Sequence, residues 1–203
     1  LPLGRHHPIS FAIDGKGYAV TGTNSFGQST KDVYQYDPVL DSWSALADFP
    51  GANRSFGIGV VVDDKAYLGF GANFQYLNDC WRFDPSDSSW TQLASCICTG
   101  RRHPAMLATN TKIYVGMGDD FTGNLNDWFM YDIVSDTWTQ ISNIPGPPRH
   151  HPFMFNAGGE LFAGFGHGNN GAIYNDWYKL DTVQNAWTAV SQFPGEARVA
   201  GTQ

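Results

Sequence analysis

Four segments of this 203-residue chain align with one another: YDPVLDSW (36–43), FDPSDSSW (83–90), YDIVSDTW (131–138) and LDTVQNAW (180–187). Their tryptophans, Trp43, Trp90, Trp138 and Trp187, stand 47, 48 and 49 residues apart. A second series, Arg5, Arg54, Arg101, Arg149 and Arg198, recurs at steps of 49, 47, 48 and 49. A period of this length, built from short apolar runs, marks a β-propeller or a similar array, because each unit buries its faces only against its neighbours. Such a platform hosts many functions, so the repeat alone constrains architecture far more than chemistry.

Composition agrees. The chain has 23 Gly and 11 Pro, and is 15% aromatic and only 15% charged, as suits an all-β protein of short strands and tight turns. No apolar run approaches the roughly 18 residues of a spanning helix, so no membrane span is expected. A formal charge of −7 and a pI near 5.1 argue against a nucleic-acid partner. No leader pattern opens the sequence, so any signal peptide is absent from this stretch or already removed.

Each repeat reads as four strands. In the second, residues 57–62 are apolar on both sides, as in a strand buried on both faces. Asp63-Asp64 makes a tight turn into residues 65–69. A Gly- and Asn-containing loop follows, then a third strand through Cys80-Trp81-Arg82-Phe83, a turn at Asp84-Pro85, and a fourth strand at residues 90–93. One repeat is thus a four-stranded antiparallel meander.

These residues resemble the kelch family. Arg5, Arg54, Arg101 and Arg149 each precede an aromatic (Tyr18, Tyr67, Tyr114, Phe162) by thirteen positions, and the aromatic-Asp…Trp half recurs in all four repeats. The family's Gly pair becomes Gly69-Phe70-Gly71, Gly116-Met117-Gly118 and Gly164-Phe165-Gly166, and is weaker at Gly22-Thr23-Asn24. Asn78-Asp79, Asn126-Asp127 and Asn175-Asp176 look like the variant of secreted bacterial kelch proteins, which implies an extracellular, cell-surface or periplasmic location. The repeats run over 5–53, 54–100, 101–148 and 149–197, with the start of another at 198. The resemblance implies an all-β kelch-type propeller of four visible blades. It also implies a ring of about six, so further blades from the same chain or a larger assembly are expected.

The meander places inter-blade loops and the loops after the Gly-x-Gly segments on one face, and the Asp-Pro turns on the other. Arg5, His6 and His7 with Pro8, Arg101, Arg102 and His103 with Pro104, and Arg149, His150 and His151 with Pro152 then form a collar at one mouth of the central channel. Asn73, Asp119, Asp120, Asn124, His167, Asn169 and Asn170 surround it. The recurring arginines also have a purely structural reading, bonding loop carbonyls and bridging blades. The histidines do not recur everywhere: Ser55 and Phe56 replace them in the second repeat, Val199 and Ala200 in the fifth. The candidate ligand-binding set is therefore Arg5, His6, Arg101, Arg102, His103, Arg149, His150, His151 and His167, and such a collar suits an anion.

No cofactor is expected. Two metal readings stand as alternatives: His6, His103 and His150 converging from different blades, or a calcium site from Asp119, Asp120 and Asn124. Neighbouring strand residues point to opposite faces, so each His-His pair offers one residue to a common site. Cys80 falls in the register of Val33, Trp128 and Trp177 and reads as blade core, whereas Cys96 and Cys98 are open to a disulfide, a soft metal or free thiols. The four repeating tryptophans read as blade-to-blade packing. Phe26, Phe74, Tyr76 and Phe121 lie on outer loops and read as a carbohydrate or protein contact surface.

Function follows mainly from the resemblance. Most kelch propellers are non-catalytic binding modules, which implies a protein or glycan partner on the loop face. Two alternatives are enzymes on this scaffold: a sugar-acid isomerase like the kelch epimerases of sialic acid metabolism, or a copper-radical oxidase. The second needs a Cys-crosslinked Tyr beside two histidines, which this sequence does not offer in the inner strands.

Overall fold

The computed structural model describes residues 4–199. Twenty short strands form four four-stranded antiparallel sheets and two small ribbons, with a single 3-10 turn at Asn169–Gly171. The first sheet comprises β2 (Ile9–Ile13), β3 (Lys16–Val20), β5 (Val33–Asp37) and β6 (Ser42–Ala45), and the ribbon of β1 (Arg5–His6) with β4 (Thr23–Asn24) caps it. The second comprises β7 (Ile58–Val62), β8 (Lys65–Gly69), β9 (Cys80–Asp84) and β10 (Ser89–Leu93). The third comprises β11 (Ala105–Ala108), β12 (Lys112–Gly116), β15 (Trp128–Asp132) and β16 (Thr137–Ile141), with the ribbon of β13 (Asp119–Asp120) and β14 (Gly123–Asn124) beside it. The fourth comprises β17 (Phe153–Ala157), β18 (Glu160–Gly164), β19 (Trp177–Asp181) and β20 (Ala186–Val190). Each sheet is one repeat, with strands paired in chain order as a propeller blade.

Local chemistry explains the turns. The first hairpin of a blade closes on two left-handed residues, Asp14-Gly15, Asp63-Asp64 or Gly158-Gly159, the residue types that tolerate positive φ. The last hairpin closes on an aspartate whose carboxylate accepts main-chain N–H groups two or three residues on: Asp37 from Val39 and Leu40, Asp132 from Val134 and Ser135, Asp181 from Val183 and Gln184. That turn sets an aromatic or Leu directly opposite the tryptophan: Tyr36 to Trp43, Phe83 to Trp90, Tyr131 to Trp138 and Leu180 to Trp187.

Three apolar cores lie between successive blades. Ile9, Val20 and Phe49 meet Leu68 and Phe83; Tyr67 and Phe70 meet Ile113 and Phe129; Tyr114 and Trp128 meet Leu161 and Trp187. The tryptophans reach back to the preceding blade, as expected. Trp90 lies 5.1 Å from Phe49, Trp187 lies 4.5 Å from Trp128, and the Trp138 indole donates to the Ala94 carbonyl at 2.8 Å. Trp43, with no preceding blade among the described residues, is 39% exposed. Cys80 is buried, as its register implied, and burial pushes its thiol pKa far upward. Cys96 and Cys98 are joined by a disulfide.

One register differs from expectation. Gly22 matches the second glycine of the later repeats, not the first: Thr21-Gly22, Phe70-Gly71, Met117-Gly118 and Phe165-Gly166 all have positive φ. Val20 therefore stands where Gly116 and Gly164 leave room for the indoles of Trp128 and Trp177. Its cross-strand partner is Val33, which needs no such room.

Candidate functional site

The recurring arginine begins each blade, and its guanidinium pairs with a carboxylate of that blade. Arg54 is fully buried and donates through Nη1 to Asp79 Oδ1 at 2.6 Å, through Nη2 to Asp79 Oδ2 at 2.7 Å, and to the Phe70 carbonyl at 3.1 Å. Arg101 makes the same contacts to Asp127 and Met117, Arg149 to Asp176 and Phe165, and Arg5 to Asp32 and Thr21. The arginine carbonyl meanwhile accepts from the preceding blade: Gly22 N to Arg54, Gly71 N to Arg101, Gly118 N to Arg149 and Gly166 N to Arg198. Burial would raise the Asp32, Asp79 and Asp176 carboxyls, but hydrogen bonds from their arginines outweigh it and hold them below the usual range. The guanidiniums of Arg5, Arg101 and Arg149, candidates for ligand contact, are instead enclosed and already paired to Asp32, Asp127 and Asp176. Their structural reading holds: Nε of Arg54, Arg101 and Arg149 also donates to the carbonyls of Ala52, Thr99 and Pro147 at the end of the preceding repeat, so side chain and backbone both bridge blades.

The next two positions set the collar. The residue after the arginine forms a backbone bridge to the residue after the second glycine: His6 to Thr23, Ser55 to Ala72, Arg102 to Asp119 and His150 to His167. This bridge turns its side chain toward the outer loops. The following residue has left-handed φ, 51° at His7, 64° at Phe56, 49° at His103 and 50° at His151, and its ring turns to the channel mouth. Ring centroids stand 4.5 Å apart for His7 and Phe56, 4.7 Å for Phe56 and His103, and 3.7 Å for His103 and His151. A cleft of about 200 Å³ lies against this ring, lined also by Pro8, Ile58, Pro104, Pro152 and Met154.

The convergent histidines are therefore His7, His103 and His151, not His6, His103 and His150. The expected trio mixed two register positions: His6 and His150 follow the arginine by one residue, His103 by two. Ala200, the matching position of the next repeat, lies outside the described residues. One ring nitrogen from each of His7, His103 and His151 lies within 4.8 Å of the others. His103 Nδ1 faces Asp119 Oδ1 at 3.3 Å, and its Nε2 is buried with no hydrogen-bond partner. Burial and then the neighbouring His103, His150 and His7 push the His151 pKa down to about 3. Burial, with His103 and His6 beside it, lowers His7 as well.

The remaining candidates form an outer arc. His150 Nδ1 meets Asn124 Oδ1 at 2.7 Å, the His150 and His167 rings are 4.8 Å apart, and exposed His6 pairs with His7 through their Nδ1 atoms at 2.6 Å. Arg102 donates through Nε to Asp119 Oδ2 at 3.0 Å and, with 36% of its side chain exposed, is the collar arginine that reaches solvent. The calcium trio is divided among other partners: Asp119 holds Arg102 and His103, Asp120 accepts from Thr122, and Asn124 donates to Asn169.

Outside the collar, Phe26, Phe74 and Phe121 are 80%, 103% and 82% exposed at loop tips. Phe74 borders two clefts. One of about 540 Å³ is lined by Asn24, Gln28, Asn53 and Asn73, and another of about 500 Å³ by Gln75, Tyr76, Asn78 and Phe121.

The kelch motif matches residues 10–50 and 100–145. No curated protein matches the chain. Among solved structures, that of YjhT superposes with a TM-score of 0.80 at 18% identity, covering 96% of this chain and 72% of YjhT. At that identity the likeness is one of fold. Among the described residues, no helix is long and apolar enough to cross a membrane.

Proposed function

This chain is a kelch-repeat protein with a propeller fold, a scaffold suited to interaction, and from that premise we propose that it is a non-catalytic module that binds a neutral glycan on its loop face. The carrying observation is Phe74, a fully exposed ring standing between two amide-lined clefts. An exposed phenylalanine offers a flat apolar surface to the C–H face of a sugar, and asparagine and glutamine amides both donate to and accept from hydroxyls. The collar favours a neutral ligand over a sugar acid, because Arg5, Arg54, Arg101 and Arg149 are already paired to carboxylates. His103 and His151 lie at the centre of the same face, with Arg102, His150 and His167 in the arc around them. The Cys96–Cys98 disulfide supports a place in an oxidising compartment, at the cell surface or beyond it.

A glycan microarray probed with labelled wild type and Phe74→Ser tests the reading. Binding to neutral glycans that is lost in the variant supports it. Signal that is absent in the wild type, or equal in both, overturns it and favours a protein partner.

A further inference from the structure

His7, His103 and His151 come from three different blades, yet occupy one register position, two residues after the recurring arginine. Nothing in the packing of a blade calls for imidazole there, since the second repeat fills the same place with Phe56. The scaffold supplies only a left-handed residue whose ring turns to the axis. Three of the four described positions carry a nitrogen ligand, and one nitrogen from each already lies within 4.8 Å of the others.

The surroundings of His103 point to what the cluster holds. Asp119 Oδ1, 3.3 Å from Nδ1, fixes the proton on that nitrogen and leaves the Nε2 lone pair free. Asp119 is itself held by Arg102, and both the His103 and Asp119 side chains are nearly enclosed, at 12% and 11% exposure. A carboxylate behind an imidazole whose other nitrogen is buried and unpartnered is the arrangement that orients metal-binding histidines. His7 Nδ1 is likewise engaged by His6 Nδ1, which makes Nε2 the nitrogen left to take an ion.

We propose that His7, His103 and His151 form a three-histidine site for a divalent transition ion of the zinc(II) type, with a coordination position left open toward solvent. Imidazole suits such ions, and three histidines with an open position are an established zinc geometry. Bonds of about 2.0–2.1 Å place tetrahedral ligand atoms about 3.3 Å apart, so the nitrogens must close by about 1.5 Å at most. His7, the exposed member, has the freedom to make that movement. The site uses none of the loop-tip residues of the glycan reading and stands independently of it.

The test uses the 203-residue chain without a histidine tag, stripped with EDTA and titrated with zinc chloride by calorimetry, with cobalt(II) absorption as a readout of geometry. Asparagine is the chosen replacement because it tolerates the left-handed backbone at these positions while removing the imidazole. Wild type is expected to take up one zinc ion per chain, with cobalt bands of four- or five-coordination. His103→Asn and His151→Asn should weaken zinc binding by about 100-fold or more. Asp119→Asn should weaken it about 10- to 100-fold while keeping the cobalt spectrum, as a positioning residue does. His167→Asn, outside the trio, should leave it unchanged. His7→Asn, on an exposed side chain, keeps the test decisive if a buried variant fails to fold. Wild type with no saturable zinc uptake, or affinity unchanged in His7→Asn and in His103→Asn/His151→Asn, would overturn the proposal.

Discussion

Arg54 and Asp79 meet at two points, Nη1 to Oδ1 at 2.6 Å and Nη2 to Oδ2 at 2.7 Å, with the guanidinium wholly enclosed. The pair joins the start of a blade to the loop before its third strand, and it recurs as Arg5–Asp32, Arg101–Asp127 and Arg149–Asp176. Asp79→Asn removes the charge but leaves Arg54 buried. Breaking such a pair costs about 3–5 kcal/mol, and the partial exposure of Asp79 places the expectation at the lower end, about 3 kcal/mol by urea unfolding. A loss below about 1 kcal/mol would show that the clamp is not structural.

The same clamps set an acid limit. Asp32, Asp79 and Asp176 have folded pKa values below their unfolded values near about 3.9, so their contribution is fully present above that pH. It is lost as pH falls through the folded values. Stability measured by denaturant should therefore decline from about pH 6.5, where the unfolded chain protonates His7 and His151 and the folded chain does not, with a further drop below about 4 as the clamps are lost. Asp79→Asn should flatten that drop; an unchanged slope would contradict the assignment.

The tryptophans divide by context. Trp187 is 7% exposed and packs on Trp128, whereas Trp43 is 39% exposed. Trp187→Ala should cost about 3–5 kcal/mol, the range for a buried large aromatic, and Trp43→Ala less than half as much. Equal losses in thermal melts would refute the view that each tryptophan closes on the preceding blade.

Thiol chemistry checks the cysteines. Cys80 is buried and free, and Cys96 is bonded to Cys98. Ellman's reagent should detect no thiol in the native protein, one after unfolding without reductant, and three after reduction. Three thiols without reductant would remove the disulfide and the compartment argued from it.

Much of the fold is legible because its signals are local. Asp37, Asp132 and Asp181 write their turns in side chain and spacing alone. The displaced Gly22 register is harder to see, because Val20 is permitted only by the small Val33 opposite it, a cross-strand fact. The histidine trio is legible by counting from each arginine: His7, His103 and His151 share an offset, whereas His6 and His150 do not. Pairing histidines by chemistry instead of register misplaces two of the three. The Asp119–His103 contact is not legible, since it depends on the loop bridge from Arg102 to Asp119. Nor is the enclosure of the arginines, whose carboxylates lie 25 to 27 residues away at no fixed spacing.

The loop face as binding surface is the central claim, and heteronuclear NMR on the labelled protein tests it most directly. On titration with a neutral glycan selected from the array, amide shifts should concentrate at Asn24, Gln28, Asn53, Asn73, Phe74 and Gln75, which line or adjoin the loop-face clefts. Val39, Val134 and Val183, exposed on the opposite turns, should stay unmoved. Shifts centred on those valines, with Phe74 and its neighbours silent, would contradict the account.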